Sequence, residues 1–184
     1  DIIMVGEIRD RETAEISIQS ALTGHLVLST LHTNDSPSSL FRLIEMNIAD
    51  YLMNASVIGV LAQRIVRKNC TFCSEPDVIS DYLLREYRIL DLAERFSNLV
   101  NGKPTFLRGR GCSHCANTGY RGRIAIFELF QYTETFKEVF LKQTSLEAFR
   151  AALRQDKDFR LLREDGMIKV AKGLTTLEEV LRVC

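Results

Sequence analysis

An α/β fold with a parallel sheet is predicted for this 184-residue chain, joined to a four-cysteine metal site and followed by a helical carboxy-terminal stretch. Three observations predict it. A strand-like apolar run, an amphipathic stretch and a second apolar run follow one another at the start, which is the unit of a parallel sheet. Two Cys-x-x-Cys pairs occupy the middle, and helix-capping sequences recur toward the end. The composition suits a folded domain: 46% apolar and 26% charged, with 24 basic residues balanced by 24 acidic ones. A net charge of zero gives no overall field toward nucleic acid or an anionic membrane, so either partner would need a local patch.

Ile2-Ile3-Met4-Val5 reads as a strand buried on both faces, ending at Gly6-Glu7 with an acid at its carboxyl end. Asp10 is placed to cap a helix from Arg11 to Thr23, with Ala14, Ile18, Ala21 and Leu22 on one face and Gly24 as its stop. His25 to Leu31 is a second buried strand, and Asn34-Asp35-Ser36-Pro37 sets Pro37 in the first turn of another helix. A right-handed crossover between parallel neighbours would bring Glu7 and the segment from Thr30 to Asn34 out at one sheet edge. Tyr51 to Lys68 is expected to be a long amphipathic helix that leads into the first cysteine pair, and its stretch from Tyr51 to Val66, interrupted by Asn54, Ser56, Gln63 and Arg64, is too short and too polar to span a bilayer. Val78 to Phe96 is a second helical stretch, and Arg123 to Phe130 alternates as a strand after the turn at Asn117 to Gly122. The remainder reads as helical, with capping boxes at Thr144-x-x-Glu147 and Thr176-x-x-Glu179, and with Gly166 and Gly173 between them.

Cys70, Cys73, Cys112 and Cys115 form two knuckles separated by 38 residues. Two intervening residues let both sulfurs of a turn face one ion, so four thiolates converging on a tetrahedral Zn(II) is the favoured reading, with a disulfide or redox pair as its rival. Such a centre carries a charge of about −2, which Arg67, Lys68, Arg108, Arg110, Arg121 and Arg123 are placed to offset unless they form a solvated face. Cys184 is expected to be a free thiol.

An acid following four apolar residues has a use in nucleotide hydrolases: it can orient and deprotonate a water, or hold the waters of Mg(II), beside phosphates. Glu7 suits that role, and the alternative is an ordinary pairing with Arg9. His25 and His32 bracket the next strand, where an imidazole can touch a phosphate or water. The phosphate cradle itself is missing: Gly-x-x-x-x-Gly-Lys-Ser/Thr does not occur, and Gly102-Lys103 precedes Pro104. Opening without Met on an apolar run, the chain is expected to be a carboxy-terminal piece of a longer protein.

These motifs resemble those of the type II secretion and type IV pilus assembly ATPases. Asp1 to Asp10, followed by Glu12-Thr13-Ala14, looks like their Walker B region, and Thr23 to Asn34 like their histidine box. Ala62 to Val66 is similar to their Ala-Gln-Arg segment, the four cysteines to their zinc subdomain, and Gly119 to Arg123 and Thr175 to Leu181 to the motifs that follow. The resemblance implies a RecA-like P-loop ATPase core over 1–69, a tetracysteine zinc subdomain over 70–122 and a strand with helices over 123–184. It implies Glu7 as catalytic acid, His25 and His32 as histidine-box residues, Arg64 near the nucleotide, and Cys70, Cys73, Cys112 and Cys115 as ligands of a structural zinc. ATP, Mg2+ and Zn2+ are the implied ligands. The implied assembly is a homo-hexamer, peripheral at the cytoplasmic face of the bacterial inner membrane through secretion or pilus platform proteins, with no nucleic acid. Pilus retraction motors lack the tetracysteine subdomain, so a secretion or extension motor is favoured. The phosphate-binding loop, aspartate box and arginine fingers are expected before Asp1, leaving this stretch inactive alone. The competing expectation is a non-enzymatic zinc module that binds a partner through the arginines around Cys112.

Overall fold

A computed structural model describes residues 1–96, 103–142 and 145–184. The fold is α/β, and the chain divides into two packing units, Asp1–Ala62 with Leu129–Phe159, and Gln63–Glu128 with Arg160–Cys184.

In the first unit, β1 (Ile2–Val5) and β2 (Leu26–Ser29) pair in parallel, Ile2 opposite Leu26 and Val5 opposite Ser29. The crossover between them is α1 (Arg11–Leu22), whose first turn is held by the Asp10 side chain accepting from Thr13 N at 2.8 Å. Gly24, at φ +99°, takes the left-handed position just beyond the helix. The expected burial of both strand faces is not found. Ile2, Met4, Leu26 and Leu28 stand exposed, because such burial needs helices on both faces, and α1 packs against β2 on one. Asp35 caps α2 (Ser36–Glu45), with Pro37 in its first turn. The unit's core joins Ala14, Ile18, Leu40, Leu43 and Met53 to Phe130, Phe140, Phe149 and Leu153. Edge-on aromatic contacts, Phe130 with Phe149 at 5.6 Å and Phe140 with Phe149 at 5.5 Å, bring α6 (Glu134–Lys142) and α7 (Leu146–Leu153) into it.

The long helix expected from Tyr51 to Lys68 is corrected. The structure has a short α3 (Asp50–Ser56) followed by β3 (Gly59–Asn69), so the first knuckle hangs from a strand and not from a core helix. β3 pairs with β6 (Tyr120–Gln131), which begins three residues earlier than the expected strand. Val57, Ile58, Val60, Ile65 and Val66 are β-branched, which favours a pleated surface over a helix.

In the second unit, β4 (Ser74–Pro76) and β5 (Leu107–Gly109) pair antiparallel between the knuckles. The helical stretch expected from Val78 to Phe96 is two helices, α4 (Asp81–Glu86) and α5 (Ile89–Phe96), broken where Arg88 takes φ +51°. Ile89, Leu92 and Ala93 pack with Met167, Ile168, Val170 and Ala171 of α8 (Leu162–Ala171) and with Leu177 and Val180 of α9 (Leu177–Val183). Gly166 lets α8 approach α9, since a Cβ there would meet Val180 Cγ1 at 2.4 Å.

The expected capping boxes turn out differently. Ser145 caps α7 through Ala148 N, and Thr144 lies outside the described residues, as does Gly102 with the rest of 97–102 in the insert between the cysteine pairs. Thr176 does cap α9 by accepting from Glu179 N, but the Glu179 carboxylate does not return the bond. It is buried and takes Arg67 N at 3.0 Å, the Arg67 guanidinium at 2.7 Å and that of Arg182 at 2.7 Å.

Candidate functional site

The carboxyl end of the β1–β2 pair gathers polar groups because the parallel ladder continues past both strands. Ile8 N donates to Thr30 O at 2.9 Å, and Thr30 Oγ1 donates to Gly6 O at 2.7 Å. Glu7 lies between those two anchored residues, and His32 follows Thr30 by two. The result is a contact of 2.7 Å between His32 Nε2 and Glu7 Oε1, with Arg9 Nε on Glu7 Oε2 at 2.5 Å. The Arg9 pairing weighed against a chemical role is therefore present alongside the imidazole contact. The Glu7 side chain is 18% exposed while His32 and Arg9 stand largely in solvent. A carboxylate has about four lone-pair sites, so two contacts leave it able to accept from a water.

The turn that presents His32 is fastened from a distance. Arg150 of α7 gives Asp35 Oδ2 two bonds, at 3.0 and 2.6 Å, and reaches Ser38 Oγ at 3.1 Å. Asp35 Oδ1 accepts from Ser38 N at 3.0 Å. Burial works against the Asp35 charge, but the Ser38 hydroxyl and amide with the Arg150 guanidinium outweigh it and hold the carboxyl below its ordinary range. Thr33 Oγ1 bonds Ser39 Oγ at 2.8 Å, closing the same turn on α2. No local signal marks Arg150, which is 115 residues from Asp35 in the chain.

His25 is not brought to Glu7. It precedes β2 and sits at the opposite end of that strand, where its Nδ1 lies 3.1 Å from Ser20 O and 3.3 Å from Thr23 Oγ1 at the end of α1. The bond to a carbonyl requires the proton on Nδ1. Arg64 lies on β3 within the second unit, half-buried.

The cysteines converge. Their sulfurs all lie within 4.8 Å of one another, with Cys70 and Cys112 at 3.9 Å, Cys73 and Cys115 at 3.9 Å, and Cys112 and Cys115 at 3.8 Å. Four ligands about 2.3 Å from one tetrahedral ion stand about 3.8 Å apart, so the donor set fits zinc. A disulfide needs about 2.05 Å, and all five cysteines are free, Cys184 among them. β3 delivers Cys70, while the β4–β5 pair and a 3-10 turn at Ser113–Cys115 deliver the others. Burial pushes the Cys73 thiol up to about 12. Burial also opposes ionisation of Cys115, but its sulfur accepts from Cys112 N at 3.2 Å and Gly119 N at 3.3 Å, which bring it down to about 6. A thiolate preformed on amide donors is what a metal ligand requires.

The Gly119 amide reaches that sulfur because two backbones cross with no side chain between them. A Cβ on Gly109 would fall 2.0 Å from Gly119 O, and Gly119 itself takes φ +78°. Gly119 belongs to a visible turn sequence, whereas Gly109 carries no signal of its partner.

No helix among the described residues is long and apolar enough to cross a membrane. A family model described as type II/IV secretion system protein matches residues 1–182. The chain is 45% identical to a type II secretion system protein E of Pseudomonas aeruginosa, with all of this chain and 34% of that protein covered. It is 43% identical to the type IV pilus assembly ATPase TfpB of Acinetobacter baylyi, covering all of this chain and 30% of that protein. The type II secretion system ATPase E of Vibrio cholerae is 41% identical, again over the whole chain and 34% of its own length. The chain thus spans about a third of the length of these relatives. Among solved structures, the Legionella pneumophila ATPase DotB superimposes with a TM-score of 0.63 at 19% identity, over 99% of this chain and 38% of that one, a likeness of fold. Since the match runs through the Glu7–His32 end and the cysteine cluster alike, the chain belongs to the type II/IV secretion system protein family.

Proposed function

We propose that this chain is the carboxy-terminal part of a hexameric motor ATPase that couples ATP hydrolysis to protein secretion or pilus extension through pilus-like assembly. The observation that carries the reading is the 2.7 Å contact between His32 Nε2 and the screened Glu7 carboxylate at the end of two parallel strands. In open α/β sheets that end is where ligands bind. Glu7 is the group that orients the attacking water and takes its proton, and His32 holds the carboxylate in place from one side. Arg150 and Asp35 keep the His32 turn against α2. His25 acts at the far end of β2 by closing α1, and Arg64 is assigned to the nucleotide by the family likeness of its Ala62–Val66 segment alone. Glu7 would hold Mg(II) through water, and the ion would supply charge neutralisation at the phosphates. Around this end we place a RecA-like core, a reading supported by the parallel β1–β2 pair and by the likeness in fold to DotB.

Cys70, Cys73, Cys112 and Cys115 hold a structural zinc in this reading, supported by sulfur spacings that suit a tetrahedral ion. The motor works on inner-membrane secretion or pilus platform proteins from the cytoplasmic face, as the names of its relatives suggest. Glu7→Gln in the full-length protein tests the reading. ATP turnover should fall by about a hundredfold or more while ATP binding by filter assay stays within about twofold. Turnover close to that of the unaltered protein removes Glu7 from the chemistry.

A further inference from the structure

Both cysteine turns carry an aromatic ring at their third position, Phe72 in Cys70-Thr71-Phe72-Cys73 and His114 in Cys112-Ser113-His114-Cys115. The two rings stack at 4.1 Å with 22° between their planes, and the Arg121 guanidinium lies 5.0 Å from the Phe72 centroid. Phe72 nevertheless remains 59% exposed, and His114 and Arg121 are exposed with it. A single exposed ring needs no explanation. A ring in contact with both an imidazole and a guanidinium, on turns whose sulfurs converge, is a surface of defined shape.

The charge around it is predominantly basic, with Glu75 of β4 as the exposed acid nearby in the chain. Arg110 is exposed, with its backbone N on Cys73 O at 3.1 Å. Arg67 stacks over Tyr120 at 4.1 Å, so the strand alternation turns their neighbours Lys68 and Arg121 to the other face. Among the described residues, Lys68, Arg110 and Arg121 have no ion-pair partner. Arg67 and Arg108 of the same unit are paired, with Glu179 and with Asp77 and Glu178 respectively. Arg121 thus stands on the stacked rings, while Arg110 and Lys68 are tied to the cysteine turns through the chain, Arg110 by its backbone N on Cys73 O and Lys68 two residues before Cys70. Offsetting the charge of a zinc–thiolate centre does not account for Arg121, whose guanidinium lies over the ring. Cys115 Sγ is already served by two backbone amides.

We propose that this face docks an acidic segment of another protein, with carboxylates on Arg110, Arg121 and Lys68 and an apolar side chain laid on Phe72. Aromatic residues and arginine are enriched where interface energy concentrates, and a patch in which unpaired cations outnumber the one exposed acid of β4, Glu75, favours carboxylates. Anionic lipid is recruited by clustered cations alone, which gives the stacked Phe72 no role. Single-stranded nucleic acid needs a succession of stacking rings along a basic groove.

The full-length protein is titrated with a fluorescent peptide alternating glutamate and leucine, with a lysine/leucine peptide as the reverse-charge control. Saturable binding of the acidic peptide alone is expected, weakening as salt rises. Arg121→Glu should weaken it about tenfold and Phe72→Ala about fivefold, with zinc content unchanged. Should Arg121→Glu lose zinc, Arg110→Glu, which changes no group of the stack, is expected to give the same weakening. Absence of saturable binding, or binding that the zinc-retaining variants leave unchanged, overturns the proposal. So does tighter binding to phosphatidylglycerol vesicles or to a single-stranded oligonucleotide than to the acidic peptide.

Discussion

Glu7 and Glu179 are both carboxylates beside cations, and their surroundings separate their roles. Glu7 has two contacts at the end of a strand pair and lone pairs left for a water, which is why the proposed function assigns the chemistry to it. Glu179 is buried and accepts from Arg67 N, the Arg67 guanidinium and the Arg182 guanidinium, which occupies both oxygens. Burial opposes its charge, but the Arg182 and Arg67 donors win and hold its carboxyl at about 2, below the ordinary 4.5. A depressed carboxyl stabilises the fold above its unfolded pKa and loses that contribution as pH falls toward its folded one. Glu179→Gln should therefore cost about 3 kcal/mol at about pH 7, since it leaves two arginines facing an amide. In urea denaturation, the gap between the two proteins should hold down to about pH 4.5 and close toward about pH 2. A gap independent of pH would mean that the carboxylate charge contributes nothing to the fold.

At the scale of elements, β3 shows why amphipathic spacing alone misleads. A run that places apolar residues on one helical face also contains Val57, Ile58, Gly59 and Val60, where β-branched side chains and a glycine disfavour a helix. The pairing of β3 with β6 then satisfies its backbone, with Tyr132 N on Ile58 O at 3.0 Å and Cys70 N on Gly119 O at 2.9 Å. That second bond carries the cysteine turn to the end of the strand. The β4–β5 pair closes beneath it, where Gly109 and Gly119 meet without side chains. Gly109→Ala must push one backbone away, since its Cβ would lie 2.0 Å from Gly119 O. Withdrawal of Gly119 N from Cys115 Sγ is the expected result. Zinc affinity measured by competition with a chromogenic chelator should drop by about tenfold or more. An unchanged affinity would show that the crossing can relax without disturbing the sulfur.

Taken over the whole molecule, both units have an apolar core, and the second adds a separate cysteine cluster. The first rests on a core of leucines and edge-on aromatic rings, while the metal end of the second is built from the four cysteines themselves. Removal of metal by a strong chelator should therefore raise amide hydrogen exchange in 70–76 and 107–119 by at least about a hundredfold, and leave α1 and α2 within about threefold. Equal loosening of both units would contradict independent interiors. The parallel pair and its crossover were legible in the sequence, because a four-residue apolar run, an Asp cap and a Gly stop act over adjacent residues. The cysteine cluster was legible for a similar reason, since two residues between ligands leave few geometries for a turn. The exposed faces of β1 and β2, the strand at β3 and the Arg150–Asp35 clamp were not. Each depends on what packs or bonds across long stretches of chain, and periodicity carries no information about such partners. The sequence by itself determined the four-cysteine cluster, the acid at the strand end and the opening strand, helix and strand, through short-range stereochemistry and spacing. Only the tertiary structure decided that His32 and not His25 meets Glu7, that Glu179 is saturated by two arginines, and that Phe72 is stacked yet exposed. Those outcomes follow from which surfaces the fold brings within hydrogen-bond or van der Waals reach.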